Sequence, residues 1–362
     1  MQDDGRAKVD EQRFDMPLTL RWTIRQFLCA SLLLIWPAIA TAHPPYGLVA
    51  DRFDNVYFSD LETVWRLAPD GSLNRFRPGV AATHVHELAL APDGTIEGDT
   101  NRYDAATGTF WSALWRRGPD GAEGWTMPWT RAPPGGMGLL QDASGNRYTT
   151  QWPSNEDRRT MLFRRSRAGK TDLLHGDARA AARFRQSTPA SVGGMAWLAD
   201  GTLVFADAGR LRRYRPGTAI ALLHQGETRR NFRGLSPLPG GQGVLAADAG
   251  RREVISVRTD GAVEVLYRSP AEWVPNAALW ARGRLLVLEA NADPREYEDR
   301  VRLVAVRDGS AQEVARPVLG PSAAAAPAPV AERRFPVAAT GGAAAAASAG
   351  GLLLWLRRRR GA

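Results

Sequence analysis

Residues 83–94 read THVHELALAPDG, and within them stand two of the chain's five histidines and a glutamate: His84, His86 and Glu87. Histidines two residues apart share one face of a strand. Neutral imidazoles so placed can bind Zn²⁺ or Cu²⁺, or give a base that titrates near neutral pH. Glu87 adds a carboxylate, so Glu87 and His86 are the candidate acid–base pair. Partners from elsewhere are few. His43 joins them if export cleavage leaves it as the first residue, with a free amine as well as a ring; His175 and His224 fall in outer strands. The chain has no G-x-S-x-G elbow, no H-E-x-x-H pair and no phosphate loop, so serine-nucleophile and nucleotide chemistry have no support.

What must position these groups is a repeat. One phrase recurs six times, beginning at Gly47, Glu87, Gly138, Gly194, Gly234 and Asn276, at spacings of 40, 51, 56, 40 and 42 residues. Each copy reads as strand, glycine-containing turn and strand, followed by a further strand and turn as in TVWRLAPDG, ALWRRGPDG and EVISVRTDG. Six such units, with no helix expected between 43 and 317, predict an all-β fold, a six-bladed β-propeller. In that architecture the first strand of each blade lines the channel. Its start and the end of the second strand meet at one mouth. Glycine suits the first position, where backbones crowd near the axis; Glu87 and Asn276 break the rule. The second strands end in Asp60, Asp99, Gln151, Asp207, Asp248 and Glu289. Two readings of these acids stand open. They face the mouth together with Glu87 and Asn276 as hard oxygen ligands for Ca²⁺ or Mg²⁺, or each caps its own turn. A site of His43, His84 and His86 for Zn²⁺ or Cu²⁺ is the nitrogen alternative.

At GLVADRFDNVYFSD and FADAGRLRRY the sequence resembles the NHL-repeat and SMP-30/gluconolactonase-like propellers, over nearly all of residues 43–317. The resemblance implies a divalent ion, commonly calcium, held at the mouth by a glutamate, asparagines and an aspartate; Glu87 and Asn276 stand at comparable positions, with Asp207, Asp248, Glu289, Asp60, His84 and His86 as further candidates. The glutamate here belongs to the second copy, and a second asparagine has no clear match, although Asn231 lies nearby in sequence. Such propellers serve as hydrolases, lyases or binding scaffolds. The expectation is therefore a scaffold for a ligand or protein partner, or a metal-dependent lactonase-like hydrolase acting on a small molecule such as a sugar or lactone, with a lyase or a histidine-ligated Zn or Cu enzyme as the alternative. Trp111, Trp115, Trp125, Trp129 and Trp152 cluster in copies two and three and read as packing between blades or as a stacking wall for a ligand.

The formal charge of +9 invites a nucleic-acid reading, but residues 43–317 carry 36 basic against 32 acidic side chains, a mixed surface that excludes it. The excess sits at the C-terminus. Residues 1–42 read as an export signal, with Arg21 and Arg25 before the apolar run 27–36 and Ala40-Thr41-Ala42 before the cut; Met16 is a second candidate start. The single cysteine, Cys29, lies in that segment, so the mature protein has neither disulfides nor thiolate ligands. Residues 318–336 form an Ala/Pro-rich linker, and 337–362 an uncharged run ending in Arg357–Arg360. This tail resembles the C-terminal sorting tails of Gram-negative surface proteins, with Gly341-Gly342 as the glycine pair. A monomeric propeller exported to the periplasm or cell surface, and anchored with its C-terminus cytoplasmic before any processing, is expected.

Overall fold

A computed structural model describes residues 45–317, apart from 81, 105–106, 108, 132–138, 152–160, 177–191, 208, 227–229 and 293–300. The signal segment, Met16, His43, the linker and the C-terminal run lie outside the described residues. The chain divides into two units, 1–322 and 323–362, of which only the first contains described residues. Among them no helix is long and apolar enough to cross a membrane.

Six sheets follow one another along the chain, each built from consecutive strands. Blade 1 is β1 (Leu48–Ala50), β2 (Val56–Ser59), β3 (Val64–Leu67) and β4 (Leu73–Arg77). Blade 2 is β5 (Leu88–Leu90), β6 (Ile96–Asp104), β7 (Thr109–Arg117) and β8 (Glu123–Arg131). Blade 3 has β9 (Arg147–Gln151), β10 (Met161–Arg165) and β11 (Thr171–His175); residues 139–141 take its innermost place through the Gln141–Arg147 bridge and the Tyr148 N–H bonded to the Leu140 carbonyl. Blade 4 is β12 (Val192–Trp197), β13 (Leu203–Asp207), β14 (Arg210–Tyr214) and β15 (Ala221–Gln225). Blade 5 is β16 (Phe232–Pro237), β17 (Gly243–Asp248), β18 (Glu253–Arg258) and β19 (Val263–Arg268). Blade 6 is β20 (Trp273–Ala281), β21 (Arg284–Asn291), β22 (Val301–Arg307) and β23 (Ser310–Ala315). All pairings are antiparallel, and this is the six-bladed propeller that the repeat predicts.

The second strands of blades 1, 4 and 5 are packed on both faces, which is why VYFS, LVFAD and GVLAAD read as continuous apolar runs and not as alternations; each is buried along its length. Outer strands such as β19 are largely exposed. Apolar clusters fill the junctions between blades 1 and 2, 3 and 4, 4 and 5, 5 and 6, and 6 and 1. The ring is therefore closed by packing: Leu48, Phe58 and Trp65 of blade 1 lie in one cluster with Leu279, Leu288 and Leu303 of blade 6. Across the junction of blades 2 and 3 the described contacts are polar, with Arg147 3.8 Å from Glu97.

Turn chemistry fixes the registers. In the recurrent Asp-Gly turns the aspartate accepts the N–H two residues on, as Asp70 does from Ser72 and Asp93 from Thr95. A second motif, D-x-x-x-N-x-Y, occurs in blades 1 and 3. Asp51 accepts the N–H groups of Phe53 and Asn55, the Asn55 amide and the Tyr57 hydroxyl at 2.8–3.1 Å, and Asp142 does the same with Ser144, Asn146 and Tyr148. Asp51→Ala leaves these donors without their acceptor and is expected to cost about 1–2 kcal/mol in urea unfolding. A loss below a few tenths would mean that water replaces the carboxylate there.

Candidate functional site

The inner strands enclose a central channel of about 430 Å³, a size suited to a small organic molecule. Its walls are apolar, with Leu48, Leu88, Leu139, Met195, Leu235 and Leu279 from successive blades, and its far end carries the half-exposed Leu90 and Trp280. Glu87 is the one charged side chain among the described residues that line it, and Tyr46 stands beside it at the same end. Crowding at the axis accounts for the glycines of the repeat. A side chain at Gly234 would run into Ala277 and the Asn276 carbonyl, and one at Gly194 into the Arg233 carbonyl.

Glu87 is positioned by its neighbour on the next strand. Asp99, at the corresponding point of β6, accepts the N–H groups of both His86 and Glu87 on one oxygen at 2.8 Å. Its other oxygen accepts the Asn101 amide at 2.6 Å. Burial, and then the charge of Asp99, push the Glu87 carboxyl up from 4.5 to about 8, against a single N–H bond from Leu139. Glu87 therefore titrates within reach of neutral pH and is poised to exchange its proton there. Tyr46 is raised well above the usual phenol range by burial and then by Glu87 and Asp99, with Arg233 pulling the other way. It remains a hydroxyl donor.

His84 and His86 share a face as their spacing predicts, with ring centroids 5.9 Å apart. His84 is tied through its backbone to Asn101. His86 is buried, its ring 6.5 Å from that of Tyr46. The Asn101 oxygen accepts the Ser112 hydroxyl, and its NH₂ lies 3.2 Å from His86 Nδ1, with Asp99 Oδ2 3.5 Å from the same nitrogen. His86 thus backs Glu87 without lining the channel.

Of the two readings of the strand-ending acids, the geometry is that of local caps and ion pairs. Asp60 accepts the N–H groups of Glu62 and Thr63 and the Trp65 indole. Asp248 accepts the N–H groups of Asn231 and Gly250, with Arg230 at 3.0 Å. Asp207 is held by His175 at 2.9 Å and Arg212 at 2.5 Å; despite its burial these partners keep the carboxyl below its usual range. Glu289 takes the Tyr267 hydroxyl and Arg302. Asn276 is wholly buried, its side-chain oxygen accepting a hydrogen bond from the Arg233 guanidinium and its nitrogen without a partner. Asn231 is exposed and uses its backbone, and the side chain of Gln151 is outside the described set.

These residues do not fit a divalent cation. Among the described residues no three His, Cys, Asp or Glu side chains come together as a metal group, and the oxygens of Asp60, Asp248, Glu289 and Asn276 are committed to donors, in the last case an arginine. The sequence reading missed Tyr46 and Arg233. Both stand one position before the glycine of their repeat, where His86 stands in blade 2, so comparing that preceding position across copies would have found them.

The tryptophans divide between packing and surface. Trp115 is fully buried, while Trp125 is half exposed; Arg77 lies 4.7 Å over Trp115 and Arg102 4.8 Å over Trp129. Of the others, Trp152 lies outside the described residues.

No protein-family model matches the chain, and no curated protein matches it. Solved structures similar to it include virginiamycin B lyase from Staphylococcus aureus (14% identity, 75% of this chain and 83% of that one, TM-score 0.48). Others are a putative gluconolactonase (16%, 72% and 92%, 0.47) and a gluconolactonase from Xanthomonas campestris (14%, 68% and 83%, 0.45). With its six consecutive antiparallel sheets around one channel, the chain is a six-bladed β-propeller.

Proposed function

We propose that the protein binds a small organic molecule in the central channel, with an apolar body against the leucine-rich wall and a polar end at Glu87 and Tyr46. The observation that carries this reading is a single carboxyl group, drawn up to about 8, in an otherwise apolar cavity of about 430 Å³. A lone polar group in an apolar pocket fixes ligand orientation. Export and anchoring through the C-terminal run belong to the same proposal, so that the ligand is met outside the cytoplasm.

A second reading, a lactonase-like hydrolase, is favoured by the same carboxyl. A glutamate that titrates near neutral pH can take a proton from an attacking water and return it to a leaving alkoxide. In that case Glu87 is the catalytic residue and His86, through Asp99 and Asn101, a positioning residue. No metal enters either scheme.

Thermal melts with phenylbutyramide and with δ-decalactone, each with calcium or chelator, test both readings. A rise in melting temperature is expected with at least one compound, and it should vanish in Ala89→Trp, which fills the channel wall. Ligand shifts that survive that substitution would place binding elsewhere. Release of hydroxy acid from the lactone, lowered about a hundredfold or more by Glu87→Gln, would establish the hydrolase; binding without turnover leaves the receptor.

A further inference from the structure

The end of the channel at Glu87 holds two carboxyl groups and, among the described residues, no arginine or lysine paired with either. Glu87 lines the channel and keeps part of its surface accessible, although protein surrounds it closely enough for burial to dominate its titration. Asp99 is buried beside it on β6, and its charge is felt at both Glu87 and Tyr46. The other strand-ending acids are compensated locally. Asp207 meets Arg212, Asp248 meets Arg230 and Glu289 meets Arg302, while Asp60 is capped by the Trp65 indole and backbone N–H groups. Asp99 meets two backbone N–H groups, the Asn101 amide and, 3.5 Å away, Nδ1 of His86. That ring can offset one of the two carboxylates at most.

A carboxylate in an apolar site calls for a counter-charge. None of the described residues that line the channel is basic. Arg233, whose charge reaches Tyr46, does not line it and gives its guanidinium to Asn276. The counter-charge for an ionised Glu87 must therefore come from outside the chain, and the walls decide its kind. A divalent ion needs several oxygen ligands, and the leucine-rich lining supplies one carboxyl. An ammonium group needs only that carboxyl, and the rings of Tyr46 and Trp197 in the same lining present aromatic faces of the kind that attract it. A neutral ligand would gain only an ordinary hydrogen bond at Glu87, about half the strength of a charge-assisted one.

We propose that the channel takes an amphipathic amine carrying a single positive charge, its ammonium set on the Glu87 carboxylate beside Tyr46 and its apolar body along the leucine-lined wall toward Trp280. The proposal rests on the channel being the ligand site and names the class of molecule that it takes. The ammonium keeps its proton on binding, and Glu87 gives its own to solvent. One proton is thus released for each ligand bound below the pH at which Glu87 titrates. The titratable and charged groups around Glu87 are Asp99, His86 and Tyr46, with Arg233 acting on Tyr46.

Titration calorimetry with phenylbutylamine and phenylbutyramide tests it, because the two share an apolar body and differ at the polar end. Near pH 8 the amine is expected to bind the wild-type protein about tenfold tighter than the amide. Toward acid its affinity should fall by nearly tenfold for each pH unit, with a released proton that shows as a dependence of the heat on the buffer, while amide binding stays level. Glu87→Gln should bring the ratio to about one and remove the slope. Should that variant not fold, the wild-type slope and proton release decide. A slope that persists in Glu87→Gln belongs to another group, such as His86, and overturns the assignment. Equal binding of amine and amide by the wild type, or a preference that survives Glu87→Gln, overturns the amine reading while the channel reading stands. Failure of both compounds to bind, or binding untouched by Ala89→Trp, overturns the channel reading and the amine with it.

Discussion

Trp115→Ala is expected to destabilise the propeller by about 3–5 kcal/mol, the range for truncating a large buried aromatic. Trp115 is fully buried in the cluster that joins blades 1 and 2, among Tyr57, Val64, Phe76, Val85 and Ile96. Its ring lies so close over Gly98 that any side chain at that position would overlap it. The indole N–H donates to the Asp99 carbonyl at 3.0 Å, and the buried Arg77 guanidinium rests on the ring at 4.7 Å. Removing the indole therefore opens a cavity, frees a buried carbonyl and uncovers a cation at once. Far-UV dichroism during urea unfolding measures the loss, since tryptophan fluorescence changes with the substitution. Ligand binding should weaken as well: Asp99, held by Trp115 from one side, holds the backbone of His86 and Glu87 from the other. A variant that loses less than about 1 kcal/mol would show that this junction repacks, and would remove Trp115 from the chain of contacts that orients Glu87.

The fold was legible because a propeller is specified locally. Most blades repeat the same glycine-containing turns and an inner pair of strands with a buried second member, and neither depends on which blade follows. The site was legible where it broke that repetition. Glu87 replaces a glycine that Gly47, Gly194 and Gly234 retain, and it is the charged group that reaches the channel. Asn276 breaks the same rule and proves to be a bulged, wholly buried residue. For Asp60 and Asp248 the sequence allowed both mouth ligands and turn caps, because chain position does not say where a carboxylate turns. Backbone N–H groups within three residues of Asp60 decide it there, and those of Asn231 and Gly250 do so for Asp248. Tyr46 and Arg233 were missed for another reason. They do not replace the glycine of the repeat but precede it, so only a comparison of that preceding position across the copies would have singled them out.

The stability of the protein is expected to fall as pH rises from about 4.5 to about 8, and Glu87→Gln is expected to remove that fall. The native state binds the Glu87 proton more tightly than the unfolded chain does, since burial and Asp99 raise its carboxyl to about 8. Below about 4.5 both states are protonated and the contribution is fully present; between the two values the unfolded chain has lost its proton and the native state keeps it, so unfolding gains relative to folding. Above about 8 the native carboxyl also ionises and the contribution is gone. At about 1.4 kcal/mol for each pH unit the total is of the order of a few kcal/mol. Asp60 is raised in the same sense by its burial, whereas Asp207 is lowered and loses stability toward acid. The difference between wild-type and Glu87→Gln unfolding free energies, measured across this range, isolates the one group. Glutamine keeps the shape without the charge, so the variant should equal or exceed the wild type above pH 8. A parallel offset with no pH dependence would mean that the carboxyl is solvated and ordinary. Calcium supplies the complementary arm: a divalent ion seated on Glu87 would hold it ionised and reverse the slope, and a calcium-dependent reversal lost in Glu87→Gln would return the mouth to the divalent-ion reading.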